Sequence, residues 1–241
     1  MDPRIDQIVK GLKDYFKKAG FEKAVLGLSG GVDSALTAKF AVMALGKENV
    51  TALILPCEGM SSDHSLSDAE NWAEILGIHY EIIPIADFVA QYQGLRWPAS
   101  EEAKINVQAR VRMTILYHYA NSHKALVLGT DNKTEAILGY FTKYGDGGVD
   151  VLPIASLYKT DVWKLAEELG IPEAIIKKVP SAELSQGQTD EGEIGMSYAE
   201  VDEILKKFEA GGVAETDKEK KLQTRIEANR HKGQLPPVVQ V

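Results

Sequence analysis

Apolar residues recur at helical spacing from Ile5 through Ile8, Val9, Leu12 and Tyr15 to Phe16, which predicts an amphipathic helix over 3–19 closed by Gly20. The next apolar run, Ala24-Val25-Leu26-Gly27-Leu28, is continuous, too short for a helix and followed by a glycine cluster. It reads as a buried parallel strand. The same reasoning gives a helix over 35–45 ending at Gly46, then a strand over 50–55 stopped by Pro56. A helix over 65–76 ends at Gly77 and leads to a strand over 79–83. A long helix over 101–122, a strand over 125–128 and a helix over 131–141 precede glycine-rich 145–148. Further helices fit 161–169, 172–178, 197–209 and 216–231, and Leu235-Pro236-Pro237 ends the helical structure. The polar stretch 185–195 lacks apolar periodicity and reads as a mobile loop. Met113, Tyr117 and Trp163 are expected in the core or an interface.

Strands alternating with helices predict an α/β fold, an open parallel sheet with helices on both faces. With 241 residues, 44% of them apolar, the chain is expected to form a single domain over 1–241, its C-terminal part from about 160 helical. No apolar run approaches the roughly 20 residues that span a bilayer. The net charge of −8 argues against sequence-independent nucleic-acid binding, which needs a surplus of Lys and Arg. The single cysteine, Cys57, excludes an intrachain disulfide and a thiolate-rich metal site. Acids stand at the N-terminus where a signal peptide carries bases. The expectation is a cytoplasmic protein with neither nucleic acid nor membrane as partner.

Candidate chemistry begins in Gly27-Leu28-Ser29-Gly30-Gly31-Val32-Asp33-Ser34, between the first strand and its helix. Adjacent glycines let backbone amides approach a ligand, and the free N–H groups of a helix start favour an anion. Ser29 and Ser34 add hydroxyls, so the segment reads as a phosphate cradle. Asp33 at its mouth would repel phosphate unless a cation intervened, which points to Mg²⁺. An N-cap and a tight turn alone explain one glycine and one Ser or Asp, but not this combination. There is no Walker A loop and no Gly-x-Gly-x-x-Gly fingerprint. Gly129-Thr130-Asp131-Asn132-Lys133-Thr134-Glu135 follows the fourth strand at the same edge, so Glu135 and Asp33 can converge on one metal. Taken alone, Glu135 is more often a solvated helix residue.

Ser-Gly-Gly-Val-Asp-Ser resembles the pyrophosphate loop of the PP-loop (N-type) ATP pyrophosphatases, a Rossmann-like class that splits ATP to AMP and pyrophosphate. Tyr140-Phe141-Thr142-Lys143-Tyr144-Gly145-Asp146-Gly147-Gly148-Val149-Asp150 and Leu157-Tyr158-Lys159-Thr160 narrow the likeness to the ammonia-dependent NAD synthetases, over residues 23–235. The resemblance implies that Gly27, Leu28, Ser29, Gly30, Gly31, Val32, Asp33 and Ser34 hold ATP, with Thr130, Lys159 and Ser181 as further ATP contacts. It implies Mg²⁺ on Asp33 and Glu135, and deamido-NAD on Arg110, Lys143, Asp150, His231 and Lys232. Ser29, Asp33 and Lys159 would act by charge and positioning, with no covalent nucleophile.

Two positions depart from the family's pattern. The segment after the second strand, with Glu58, lacks an Arg that many relatives place near ATP, and Ser181 stands where Thr is usual. The implied reaction is ATP-dependent amidation of deamido-NAD to NAD, with free ammonia as the expected nitrogen donor because glutamine-dependent relatives carry an additional amidase domain. The family's homodimeric habit is compatible with the helix over 101–122, apolar on more than one face at Val107, Val111, Ile115, Leu116 and Tyr119. The rivals are a tRNA-modifying PP-loop enzyme and a nucleotide-binding protein without turnover. The acidic composition opposes the first, and the retained Asp33, Glu135, Lys159 and loop serines oppose the second.

Overall fold

The computed structural model describes residues 2–57, 62–181 and 189–239. Four strands form one sheet, β1 (Lys23–Gly27), β2 (Val50–Ile54), β3 (His79–Ile82) and β4 (Ala125–Leu128), in the order β3-β2-β1-β4 with every pairing parallel. The chain first builds outward from β1 through β2 to β3, then returns to place β4 on the other side of β1. The order in which strands are added therefore reverses between β1 and β4, and the crevice beyond their carboxyl ends is where such folds bind ligands. Val151 adds a single parallel bridge to Leu128, which pins the glycine-rich segment to the same edge.

Side chains alternate across β1, and the two faces bury different helices. Ala24 and Leu26 face one core cluster, which takes residues from α1 (Pro3–Ala19), α2 (Val32–Leu45), α3 (Asp63–Leu76) and α7 (Lys159–Glu168). Val25, with Leu53 and Val127, faces a second cluster completed by α5 (Glu101–His123) and α4 (Ala86–Ala90). A third cluster joins α6 (Lys133–Leu138) to α9 (Asp190–Ile194), α10 (Tyr198–Glu209) and α11 (Asp217–Asn229). A short helix, α8 (Glu173–Ile176), follows α7. No helix among the described residues is long and apolar enough to cross a membrane.

The parallel sheet and its alternation with helices match the sequence pattern, but several boundaries moved for local reasons. α2 begins at Val32, not at 35, because Gly31 supplies the extended N-cap; Asp33 and Ser34 thus lie in its first turn. α6 is shorter than the expected 131–141, since Asn132 and Glu135 form a capping box and Gly139 ends the helix in the left-handed region. α7 starts at Lys159, two residues early. The expected 172–178 contracts to α8, and 216–231 ends at Asn229, with a 3-10 turn over Arg230–Gly233.

The loop expected over 185–195 is in part helix. Thr189 caps Gly192 and Gly195 takes a positive φ, enclosing α9 in five residues, too few to show a helical period. Positions 185–188 lie outside the described residues, as does Glu58. Of the apolar residues of α5 named for a dimer face, Val111 is buried in the second core cluster, and Val107, Ile115, Leu116 and Tyr119 pack against it while staying partly exposed. Met113 lines the cavity described next, while Trp163 packs edge-on against Tyr198.

Candidate active site

A cavity of about 350 Å³ opens at the carboxyl ends of β1, β2 and β4. One wall is the loop from Gly27 into the first turn of α2. Ser34 Oγ donates to the Gly31 carbonyl at 3.0 Å and accepts from the Ser29 amide at 3.2 Å. The Gly31 amide reaches Ser29 Oγ at 3.3 Å. These bonds curl the chain into a concave rim. Gly30 has φ +77°, and a Cβ there would stand 2.2 Å from the Ser65 carbonyl, so only glycine fits.

The opposite wall comes from β4 and the start of α6. Asn132, fully buried, accepts from the Glu135 amide through its side-chain oxygen at 3.0 Å. Its amide nitrogen donates to Asp33 Oδ1 at 2.8 Å. Glu135 Oε2 in turn accepts from the Asn132 amide at 3.2 Å. A helix cap thereby ties the two carboxylates to one frame. Lys159 completes it, its Nζ lying 2.5 Å from Asp33 Oδ2 and 3.3 Å from Glu135 Oε1.

Burial disfavours the Lys159 ammonium, yet Asp33 and Glu135 outweigh it and hold its pKa well above the ordinary lysine value. Glu135 is pushed up by its own burial, opposed by Lys159 and reinforced by Asp33. Asp131, also in the cavity wall, is pushed up by burial and by the charges of Asp146, Glu135 and Asp33.

Lys159 is placed by a buried network rather than by a side-chain N-cap. Thr134 Oγ1 accepts from the Lys159 amide at 3.0 Å and donates to Asp202 Oδ1 at 2.5 Å. Asp202 Oδ2 accepts from the Thr160 amide at 2.9 Å. Two free N–H groups at the start of α7 are thus satisfied from α6 and α10. Beyond Lys159, Tyr198 and Tyr140 donate to Asp190 at 2.9 and 3.2 Å, closing the far end of the cavity.

Of the ATP residues expected from the sequence, Gly27, Leu28, Ser29, Gly31, Val32, Asp33, Ser34, Thr130, Lys159 and Ser181 all line this cavity, together with Glu135. Gly30 is not among the lining residues; its carbonyl accepts from Nζ of Lys178, which is. The residues expected for the dinucleotide lie elsewhere. Arg110 donates to the Lys143 carbonyl at 3.3 Å, Lys143 Nζ donates to the His231 carbonyl at 2.6 Å, and Lys232 Nζ donates to Gly139 and Phe141 carbonyls. These four form a basic cluster outside the cavity.

Asp150 joins neither group. Its carboxylate accepts from the Val127 amide at 2.7 Å and from Tyr117 at 3.0 Å, fastening α5 to β4. Sequence reasoning missed Asn132, Arg112, Lys178 and Asp190, all of which bear on the site. Only Asn132 had a local signal, the Asn-x-x-Glu of a capping box. Arg112 projects from α5 to the end of β2, where its Nε donates to the Leu55 carbonyl at 3.0 Å and the side chain lines the cavity.

A glycine-rich cradle at the switch point of a parallel sheet, faced by two acids and a buried lysine, defines a nucleotide-dependent α/β enzyme of the PP-loop class. The sequence profile described as NAD synthase matches residues 4–236, and the chain belongs to that family. It is 48% identical over 237 residues to the NH(3)-dependent NAD(+) synthetase of Archaeoglobus fulgidus, covering 98% of this chain and 96% of that one. The Methanosarcina mazei protein of the same name is 46% identical, covering 97% and 96%. Among solved structures, NMN synthetase from Francisella tularensis superposes with a TM-score of 0.88 at 37% identity, covering 99% and 98% of the two chains. The NH3-dependent NAD synthetase from Campylobacter jejuni gives 0.86 at 33%, over the whole of both chains.

Proposed function

We propose that this chain amidates deamido-NAD to NAD with ammonia, at the expense of ATP. The observation that carries the reading is the convergence of Asp33, Glu135 and Lys159 on the rim of the glycine cradle. The family membership and the names of the full-length relatives support it.

The chemistry follows from what the substrate lacks. A carboxylate is a poor electrophile, and ammonia does not displace oxide from it. One carboxylate oxygen therefore attacks the α-phosphorus of ATP, forming an O–P bond while the bond from that phosphorus to the bridging oxygen breaks and pyrophosphate leaves. Ammonia then attacks the acyl carbon of the adenylate, loses a proton, and AMP departs with the former carboxylate oxygen. No covalent nucleophile of the protein takes part. The chain's own work is to align two anions and neutralise the leaving pyrophosphate.

For that task the Gly27–Ser34 amides and hydroxyls would hold the β- and γ-phosphates, Thr130 and Ser181 would contact ATP, and Lys159 would turn from the carboxylates to a phosphate oxygen. Asp33 and Glu135 are hard oxygen donors that already share one cation, the Lys159 ammonium, so they suit Mg²⁺. When bound there, Mg²⁺ supplies charge neutralisation at the phosphates. The basic cluster of Arg110, Lys143, His231 and Lys232 would receive the dinucleotide, with Asp150 supporting it through β4. A second copy of the chain would cover Phe88, Tyr92, Leu95 and Trp97, which are exposed beside α5, giving a homodimer measurable by light scattering.

The Francisella structure carries the name of an enzyme making the mononucleotide amide. Product analysis separates the readings. With ATP and ammonia, deamido-NAD should give NAD, AMP and pyrophosphate, while nicotinate mononucleotide and glutamine should give little product. Release of ADP in place of AMP would sink the adenylate mechanism, and faster turnover of the mononucleotide would reassign the substrate.

A further inference from the structure

Lys177 and Lys178 follow α8 as identical neighbours, yet they meet different fates. Lys177 forms an exposed ion pair with Glu173 one turn back. Lys178 turns inward and lines the cavity, with 24% of its side chain exposed. Its Nζ donates to the Gly30 carbonyl at 3.0 Å and to Ser65 Oγ at 3.2 Å, and pairs with Asp68 Oδ2 at 2.5 Å. Three separate pieces of chain meet at this ammonium: the cradle loop, the first turns of α3 and the segment leading to Ser181.

The bond to Gly30 has a directional consequence. Every described peptide is trans, so the carbonyl of Gly30 and the amide N–H of Gly31 point to opposite sides of one rigid plane. With the carbonyl held by Lys178, the Gly31 N–H must point the opposite way, and it does, toward Ser29 Oγ on the cradle wall of the cavity. Apart from the long 3.3 Å bond of its N–H to Ser29 Oγ, the glycines on both sides leave this peptide weakly held, because a Gly-Gly unit rotates with low steric cost. A cation on the carbonyl also draws charge from the amide and strengthens its N–H as a donor.

We propose that Lys178 is a positioning residue for the phosphate cradle, locking the Gly30–Gly31 peptide so that its N–H faces the bound pyrophosphate group. It acts through the backbone and need not touch the ligand. Asp68 and Ser65 hold the ammonium in place and leave it a single outlet toward Gly30. The proposal rests on reading the Gly27–Ser34 loop as a pyrophosphate cradle.

The test uses the full chain labelled with ¹⁵N-glycine, together with inorganic pyrophosphate as probe. The ¹⁵N shift of an amide reports on the hydrogen bond made by the preceding carbonyl, so Gly31 reads the Lys178–Gly30 bond with no ligand present. In Lys178→Met the Gly31 amide should move more than any glycine outside the loop, and pyrophosphate should bind about tenfold more weakly, the loss of one charge-assisted bond. KM for ATP should rise while KM for deamido-NAD stays put, and Lys178→Arg should restore both readouts.

If Lys178→Met is poorly folded, Lys178→Gln keeps an N–H for Gly30 without the charge and should displace Gly31 by less. Weaker pyrophosphate binding with an unmoved Gly31 would overturn the proposal by making Lys178 a direct phosphate contact. A moved Gly31 with unchanged pyrophosphate affinity would overturn it as well. Failure of the wild-type protein to bind pyrophosphate would instead overturn the cradle reading beneath it.

Discussion

The Lys159 ammonium lies 2.5 Å from Asp33 Oδ2, although 126 residues separate the two in the chain. Lys159 is 2% exposed, so its ammonium has little solvent to turn to in place of Asp33. A pair this enclosed costs more to break than to form, because the partner left behind keeps its charge in a poorly solvated place.

Replacing Asp33 should therefore act twice. Asp33→Ala removes both a proposed metal oxygen and the nearer counterion of Lys159, leaving Glu135 alone beside the ammonium. Pyrophosphate release should fall by at least about 10²–10³-fold, the scale of losing one main charge-stabilising group. Thermal unfolding should show a native fold melting at a lower temperature. Near-normal turnover in this variant or in Glu135→Ala would refute the metal assignment.

Lys159 should exert opposite effects on metal and on catalysis. In the ligand-free chain it occupies the space between the two carboxylates that a divalent ion would take. Lys159→Met should raise the affinity of the nucleotide-free protein for Mn²⁺ by roughly ten- to a hundredfold, since a neighbouring positive charge is removed. Turnover of ATP should nonetheless drop. Titration followed by electron paramagnetic resonance reads the first effect, and equal Mn²⁺ affinity in both proteins would show that the lysine does not compete.

Asp202 supports Lys159 from a distance. It is fully buried and holds both Thr134 and the Thr160 amide. Asp202→Asn can satisfy one of these bonds but presents an N–H where the other needs an acceptor. Stability should fall by about 1–3 kcal/mol. KM for ATP should rise as the first turn of α7 loosens. A variant with wild-type urea midpoint and KM would mean that α7 is set by its apolar contacts alone.

Acid sensitivity should trace in part to Glu219. The Lys207 ammonium, at 2.8 Å, and the amides of Thr216 and Glu215 hold its carboxyl down from the ordinary 4.5 to about 2. A folded pKa below the unfolded one means stability that is complete above about 4.5 and lost as pH falls toward 2. The gap in urea midpoint between wild type and Glu219→Gln should be largest at pH 7 and shrink below pH 4. A gap independent of pH would remove Glu219 from the account.

The cradle was the most legible part of the site, because Gly27 to Ser34 is a contiguous run whose glycines, hydroxyls and following helix carry a local physical meaning. Glu135 was legible only as a residue placed after a strand end. Asn132 shows the difference. Its capping role is written in the spacing to Glu135, but its second bond, to Asp33, joins positions 99 residues apart. Lys178 looked like its surface neighbour Lys177, and nothing in the local pattern separates them. Asp150, expected as a ligand contact beside a glycine-rich turn, has a further role that its neighbours do not announce, fastening the Val127 amide and Tyr117.

The α/β alternation, the parallel sheet and the glycine-serine loop opening a helix could all be read along the chain, since these follow from short-range periodicity and from what glycine, serine and a helix start do to a backbone. Only the tertiary structure decided that β4 returns beside β1, which opens the crevice, and that Lys159 stands between Asp33 and Glu135. Strand order and charge pairing depend on which surfaces pack against which across the whole chain. Neighbouring residues carry no record of that, so the cation at the centre of the site became visible only once α6, α7 and α10 were in place.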